Sequence, residues 1–210
     1  MMIILLIISS YLLGSIPTAY LLGVVLKGVD IRKLGSGNIG ATNAFRVLGK
    51  SIGITVLFFD VFKGFFASAV LASGVYPLVI SRDVWRIILG MIVIIGHIWP
   101  VFLSFKGGKG IATTLGVLLG LMLSISDLRL VLLISVCVWT VIFLSTGFVS
   151  LASISSAIVL PVATFFLVDS REIFTFSLIV AFFAIISHKS NIYRLLGKKE
   201  GRAKLPWLRR

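Results

Sequence analysis

The chain has 210 residues, is 59% hydrophobic and 13% charged, and carries a net charge of +13. That is too apolar for a water-soluble domain, and no segment alternates as membrane β-strands do. The expectation is an all-α fold: a polytopic membrane helix bundle forming one integral-membrane domain over 1–210, with a basic tail at about 189–210.

Hydropathy and break signals predict seven helical segments, at about 2–26, 52–75, 84–105, 110–126, 129–146, 149–168 and 172–187. Residues 1–26 hold no charge and lack the basic start and small-residue cleavage site of a signal peptide. They are expected to persist as a first helix, bent at Pro17. The uncharged stretch 130–168 is divided at Ser145-Thr146-Gly147. The fourth and seventh segments are short, so five or six complete crossings also fit. Cys137, the single cysteine, excludes an intrachain disulfide and is expected to pack within its apolar run.

With seven spans, fifteen lysines and arginines fall on one side of the membrane and four on the other. The positive-inside rule then puts the N-terminus outside and the C-terminus in the cytoplasm. Basic residues dispersed over short loops and a tail suit anionic headgroups and phosphorylated substrates, with no nucleic-acid partner expected.

Three polar loops share the basic side. The first, Gly35-Ser36-Gly37-Asn38-Ile39-Gly40, matches the G-x-G-x-x-G string, with Asp60 twenty residues after Gly40. A dinucleotide fingerprint needs a preceding strand and a βαβ unit, which membrane helices do not supply. What remains is glycine backbone able to approach an anion, with hydrogen-bonding groups on Ser36, Asn38, Thr42 and Asn43 and a cation on Arg46. By itself the segment also reads as a solvated turn. The second loop, Lys106-Gly107-Gly108-Lys109-Gly110, lacks Walker spacing but puts Lys109 at a helix start, where the dipole favours an anion. Interfacial snorkelling would account for the lysines but not for the glycines between them.

In the third loop, His188, Asn191 and Arg194 share a side if that segment is helical. Asp60 and Lys63, three apart in an apolar helix, are expected to pair internally and support the site, and His97, near the cytoplasmic end of the third helix, is expected as a structural hydrogen-bonder in a supporting role. Neither histidine has companion ligands, so no metal and no cofactor are expected. There is no His-x-x-x-x-Asp pair and no G-x-S-x-G elbow. Cations and donors abound while bases are scarce.

Taken together, Gly14-Ser15-Ile16-Pro17, GSGNIGATNAFR at 35–46, Asp60-Val61-Phe62-Lys63-Gly64, GHIWPVFLSFKGGKGIAT at 96–113, 150–154 and HKSNIYRLLGKKE at 188–200 resemble one family. It is the acyl-phosphate-dependent glycerol-3-phosphate acyltransferases of bacterial membranes, the PlsY family. The resemblance implies acyl transfer from acyl phosphate to the sn-1 hydroxyl of glycerol 3-phosphate in the bacterial cytoplasmic membrane, with the active site facing the cytoplasm. It implies Ser36, Arg46, Lys109, His188 and Asn191 as the catalytic residues lining a phosphate site. Gly35, Gly37, Asn38, Thr42, Asn43, Lys106, Gly107 and Gly108 are the further candidate phosphate contacts. Membrane lipids and an acyl-phosphate-forming enzyme are the other candidate partners. The third motif often reads His-Arg-Glu-Asn in this family and is His188-Lys189-Ser190-Asn191 here. A transporter of a phosphorylated metabolite is the rival reading, although the halves show no internal repeat. A lipid-binding scaffold is a second, which leaves the three loops unexplained.

Overall fold

Pro17 breaks the first apolar segment. Lacking an N–H and restricting the residue before it, proline leaves Ile16 extended between α1 (Met2–Ser15) and α2 (Thr18–Lys27), which meet at a 47° bend. A computed structural model gives the structure of residues 1–203; it is helical, with no strand among those residues. Residues 204–210 of the expected basic tail lie outside them. The chain divides into two compact units, Met1–Ser124 and Ile125 onward.

In the first unit the 28–49 connection contains a helical turn at Ile31–Lys33 and a short helix, α3 (Ala41–Val47). Helix α4 (Lys50–Phe65) continues through a π turn, Phe66–Val70, and a further turn to Ser73. Next comes α5 (Arg82–Ile98), capped by Ser81, whose hydroxyl accepts from the Val84 amide at 3.2 Å. Helix α6 (Ile111–Leu121) follows the glycine loop.

Small residues set the packing, as bilayer helices need, since lipid is as apolar as leucine. Helices α1 and α5 touch backbone to backbone: a methyl on Gly14 would strike the Val93 carbonyl, and one on Gly96 the Tyr11 carbonyl. The Ser10 hydroxyl donates to Leu89 O at 2.7 Å across that interface. Helices α4 and α6 run parallel in equal intimacy, Gly64 against Thr113 and Gly116 against Val61.

The second unit stacks α7 (Leu128–Thr146), α8 (Val149–Leu167) and α9 (Arg171–Ser187), followed by α10 (Lys189–Leu196) at 58° to α9. Gly147, at φ +72°, turns α7 into α8, so the sequence break at 145–147 is real. Helix α8 buries Ala152, Ser153 and Ala157, and Ser156 donates to the Ser135 carbonyl at 2.9 Å.

Among the described residues, four helical stretches are long and apolar enough to cross a membrane, or up to six if each bent pair counts as one span. Helix α6 is shorter, with 11 residues. Its length is about 16 Å, against a hydrocarbon core of about 30 Å. One expectation fails: Cys137 is exposed on its helix. In lipid the outward face is as apolar as the packed one, so an apolar run does not reveal which face a residue occupies.

Candidate functional site

The first loop is built by its own asparagines. Asn43, 2% exposed, accepts the Ser36 amide on Oδ1 at 2.9 Å and donates from Nδ2 to Leu34 O at 3.0 Å and Ile31 O at 3.4 Å. Asn38 Oδ1 accepts the Gly40 amide at 2.9 Å, an Asx turn. Both asparagines are candidate phosphate contacts by sequence, and both carbonyl oxygens are engaged by the loop's backbone. Gly35 must be glycine: its φ is +60° and a Cβ would run into Asn43 Oδ1. The result turns Ser36 and Arg46 outward, both exposed, with Thr42 half-buried.

Asp30, the nearest acid, is not available as a base. Its carboxylate takes both Arg32 Nε, at 2.9 Å, and Arg32 Nη2, at 2.8 Å. That charge-assisted hydrogen bonding holds its pKa down at about 2.

The second loop returns against the end of α5. Gly107 N donates to Ile98 O at 3.1 Å and Gly108 N to His97 O at 3.0 Å. Ser104 (φ 51°) and Phe105 (φ 62°) take left-handed conformations unusual for such residues, making the reversal before Lys106. Lys106 is exposed, Lys109 half-buried, and Gly110 (φ 80°) opens α6. Ile31, Ile39 and Ala44 of the first connection and Leu103 of the second share one core cluster. That apolar contact brings Ser36 and Arg46 to the same end of the first unit as Lys109.

Beneath the loops lies a buried charge cluster. Lys63 Nζ sits 2.9 Å from Asp60 Oδ1, with side chains 5% and 4% exposed, and His97 Nδ1 is 3.6 Å from the same oxygen. Lys63 also donates to Ile16 O at 3.4 Å, a carbonyl at the proline break that accepts the Thr18 amide as well, at 3.1 Å. These residues line a recess with Ser15, Ile39 and Pro100.

The second unit holds His188 and Asn191. His188, 2% exposed at the α9–α10 bend, donates from Nδ1 to Ala184 O at 2.7 Å. Helix α10 is helical as the spacing required, and Asn191 and Arg194 share a partner that spacing alone does not reveal. Asn191 Nδ2 donates to Glu200 Oε1 at 2.6 Å, Arg194 Nε to Oε2 at 2.6 Å, and Ser150 Oγ to Oε1 at 2.8 Å. Burial raises the Glu200 pKa, but the three hydrogen bonds and the Arg194 charge outweigh it and leave it below the ordinary carboxylate range. The segment carrying Glu200 is clamped to the α7–α8 turn by Ala203 N donating to Gly147 O at 2.8 Å and by Arg202 over Phe148. The only sequence signal for this role is that Glu200 closes the third matching string. No group of three His, Cys, Asp or Glu side chains gathers among the described residues.

Apolar helices of membrane length, small-residue interfaces and glycine loops ending in cations define a polytopic membrane protein. The chain belongs to the glycerol-3-phosphate acyltransferase family, whose model matches residues 4–198. It is similar to the glycerol-3-phosphate acyltransferase of Fusobacterium nucleatum subsp. nucleatum, at 41% identity over 94% of this chain and 96% of that one. It is also similar in structure to PlsY, an integral membrane glycerol 3-phosphate acyltransferase. The glycerol 3-phosphate form matches with a TM-score of 0.83 at 38% identity, covering 96% of this chain and 95% of that one. The lysophosphatidic acid form matches with a TM-score of 0.80 at 38% identity, covering 95% and 94%.

Proposed function

We propose that the protein transfers a fatty acyl group from acyl phosphate to the sn-1 hydroxyl of glycerol 3-phosphate, releasing lysophosphatidic acid and phosphate as the first step of phospholipid synthesis. Support comes from the family match and from the glycerol 3-phosphate and lysophosphatidic acid forms of the similar structure. The observation that carries the chemistry is the pair of glycine loops joined through one core cluster, bringing Ser36, Arg46 and Lys109 to one end of their unit. We assign these three, with His188 and Asn191, to substrate phosphate binding and transition-state stabilisation.

Acyl phosphate is a mixed anhydride with a good leaving group, so the protein need not supply a nucleophile. The glycerol hydroxyl attacks the acyl carbonyl, the new ester C–O bond forms, and the carbonyl–phosphate bond breaks. The hydroxyl proton passes to a phosphate oxygen of the donor, because Asp30 is tied to Arg32 and Glu200 to Asn191, Arg194 and Ser150. Donors and cations stabilise the oxyanion and the departing phosphate. In this reading the site faces the cytoplasm of a bacterial cell, the acyl chain arrives from the lipid, and an acyl-phosphate-forming enzyme supplies the donor.

Purified protein in lipid, given acyl phosphate and glycerol 3-phosphate, is expected to form lysophosphatidic acid, and to form none with acyl-CoA as donor. Lys109→Ala and His188→Ala each lower kcat/KM by about 100-fold or more, the scale of losing one transition-state donor. Product from acyl-CoA alone overturns the donor assignment. A trapped, kinetically competent acyl-enzyme overturns direct transfer, and phosphate-ester flux without product turns the reading to transport.

A further inference from the structure

The charge cluster under the loops is an expensive way to hold helices together. Charges within a bilayer are costly unless paired, and apolar packing does the same cohesive work at less cost. Helix α4 is already locked to α6, and α1 to α5, by glycine contacts. What the cluster adds is direction, and His97 is where it acts.

Two parts of His97 touch the 106–110 loop. Its carbonyl accepts the Gly108 amide at 3.0 Å. Its ring lies so close to the Gly108 Cα that a methyl there would strike Nε2 and crowd Cε1 and Cδ2. On the ring's other edge, Nδ1 faces Asp60 Oδ1 at 3.6 Å. Asp60 is held by Lys63 at 2.9 Å, and Lys63 by the Ile16 carbonyl at the proline break. Lys109 is the next residue after Gly108, and two residues later α6 begins, fixed to α4 at Gly64 and Gly116. Both ends of the short segment bearing Lys109 are therefore referenced to α4, one through the helix seam and the other through His97 and Asp60.

We propose that His97, oriented by Asp60, is a positioning residue whose ring serves as the seat for Gly108 and so fixes the backbone that presents Lys109 to a substrate phosphate. Gly108 is glycine because the seat leaves no room for a side chain. The inference rests on the reading of residues 106–110 as a phosphate-binding loop.

A double-substitution cycle on the full-length protein in lipid tests it, with glycerol 3-phosphate as the calorimetric titrant and turnover measured in parallel. Gly108→Ala and His97→Ala each weaken glycerol 3-phosphate binding by about tenfold or more, with a larger change in KM than in kcat. In the double variant the losses do not multiply, because removing the ring makes room for the added methyl. His97→Asn, which keeps an N–H toward Asp60, retains affinity closer to wild type than His97→Ala does. If His97→Ala does not fold, the His97→Asn and Gly108→Ala pair supplies the same cycle. His97→Ala that loses thermal stability but keeps wild-type affinity overturns the proposal, as do losses that multiply. Wild-type protein that binds no glycerol 3-phosphate brings down the phosphate-loop reading itself. Binding without lysophosphatidic acid formation leaves the loop standing and overturns acyl transfer.

Discussion

Glu200 shows how much one side chain can organise. It closes a 188–200 segment in which Asn191, Arg194 and Ser150 all donate to its two carboxylate oxygens. Removing it leaves three buried or half-buried donors without their acceptor, each worth about 1–3 kcal/mol when unsatisfied. Glu200→Ala is therefore expected to lower stability by about 2–4 kcal/mol and to reduce activity through Asn191. The pH dependence has a definite sign. The folded-state pKa lies below the ordinary value of 4.5, so the charge contributes fully above that value and its contribution is lost as the pH falls through the folded-state pKa. Thermal unfolding of wild type and Glu200→Gln should differ most near neutral pH and converge in acid as the pH falls through the lowered folded-state pKa. A gap that persists unchanged into acid would show that packing, not charge, holds the tail. Asn43 makes the complementary point: a residue read from sequence as a phosphate contact has its amide engaged by the loop it belongs to.

Between helices, the governing feature is close backbone approach. Helices α4 and α6 meet where a methyl on Gly116 would run into the Val61 carbonyl, and backbone cannot retreat as a flexible side chain can. Gly116→Ala is expected to cost about 1–3 kcal/mol, read from denaturant unfolding in mixed micelles. A change within about 0.5 kcal/mol would mean that the helices slide freely, since surface substitutions stay in that range. The proline break is the other element-level device. Pro17 was legible as a bend, yet the hydrogen bond from Lys63 to the Ile16 carbonyl beside it was not, because Ile16 and Lys63 are 47 positions apart. Pro161 warns against reading every proline so: it lies inside α8, which continues through it.

At the scale of the molecule, the number of crossings sets which side each loop faces. The proposed orientation, N-terminus outside and C-terminus cytoplasmic, needs α6 together with residues 122–127 to carry the chain over. By itself α6 is about half the bilayer thickness. In a Cys137→Ser background, single cysteines at Lys33, Leu78 and Ser126 decide it with a membrane-impermeant maleimide on intact cells. Leu78→Cys and Ser126→Cys should label from outside and Lys33→Cys only after lysis. Labelling of Lys33→Cys in intact cells reverses the orientation. A protected Ser126→Cys alongside a labelled Leu78→Cys makes the 106–127 segment re-entrant.

Composition, hydropathy and the placement of glycine, proline and basic residues determined by themselves that this is a multi-helix membrane protein with three polar loops, where its long apolar segments lie, and which family it resembles. Those properties are local or additive along the chain, so they survive without coordinates. Only the tertiary structure decided which asparagine builds a loop and which glycines make helix contacts. Only it showed that Cys137 faces outward, that Glu200 gathers Asn191, Arg194 and Ser150, and that His97 lies against Gly108. Each of these depends on residues brought together by packing. In a bilayer, where both faces of a helix are apolar, periodicity does not say in advance which face is packed.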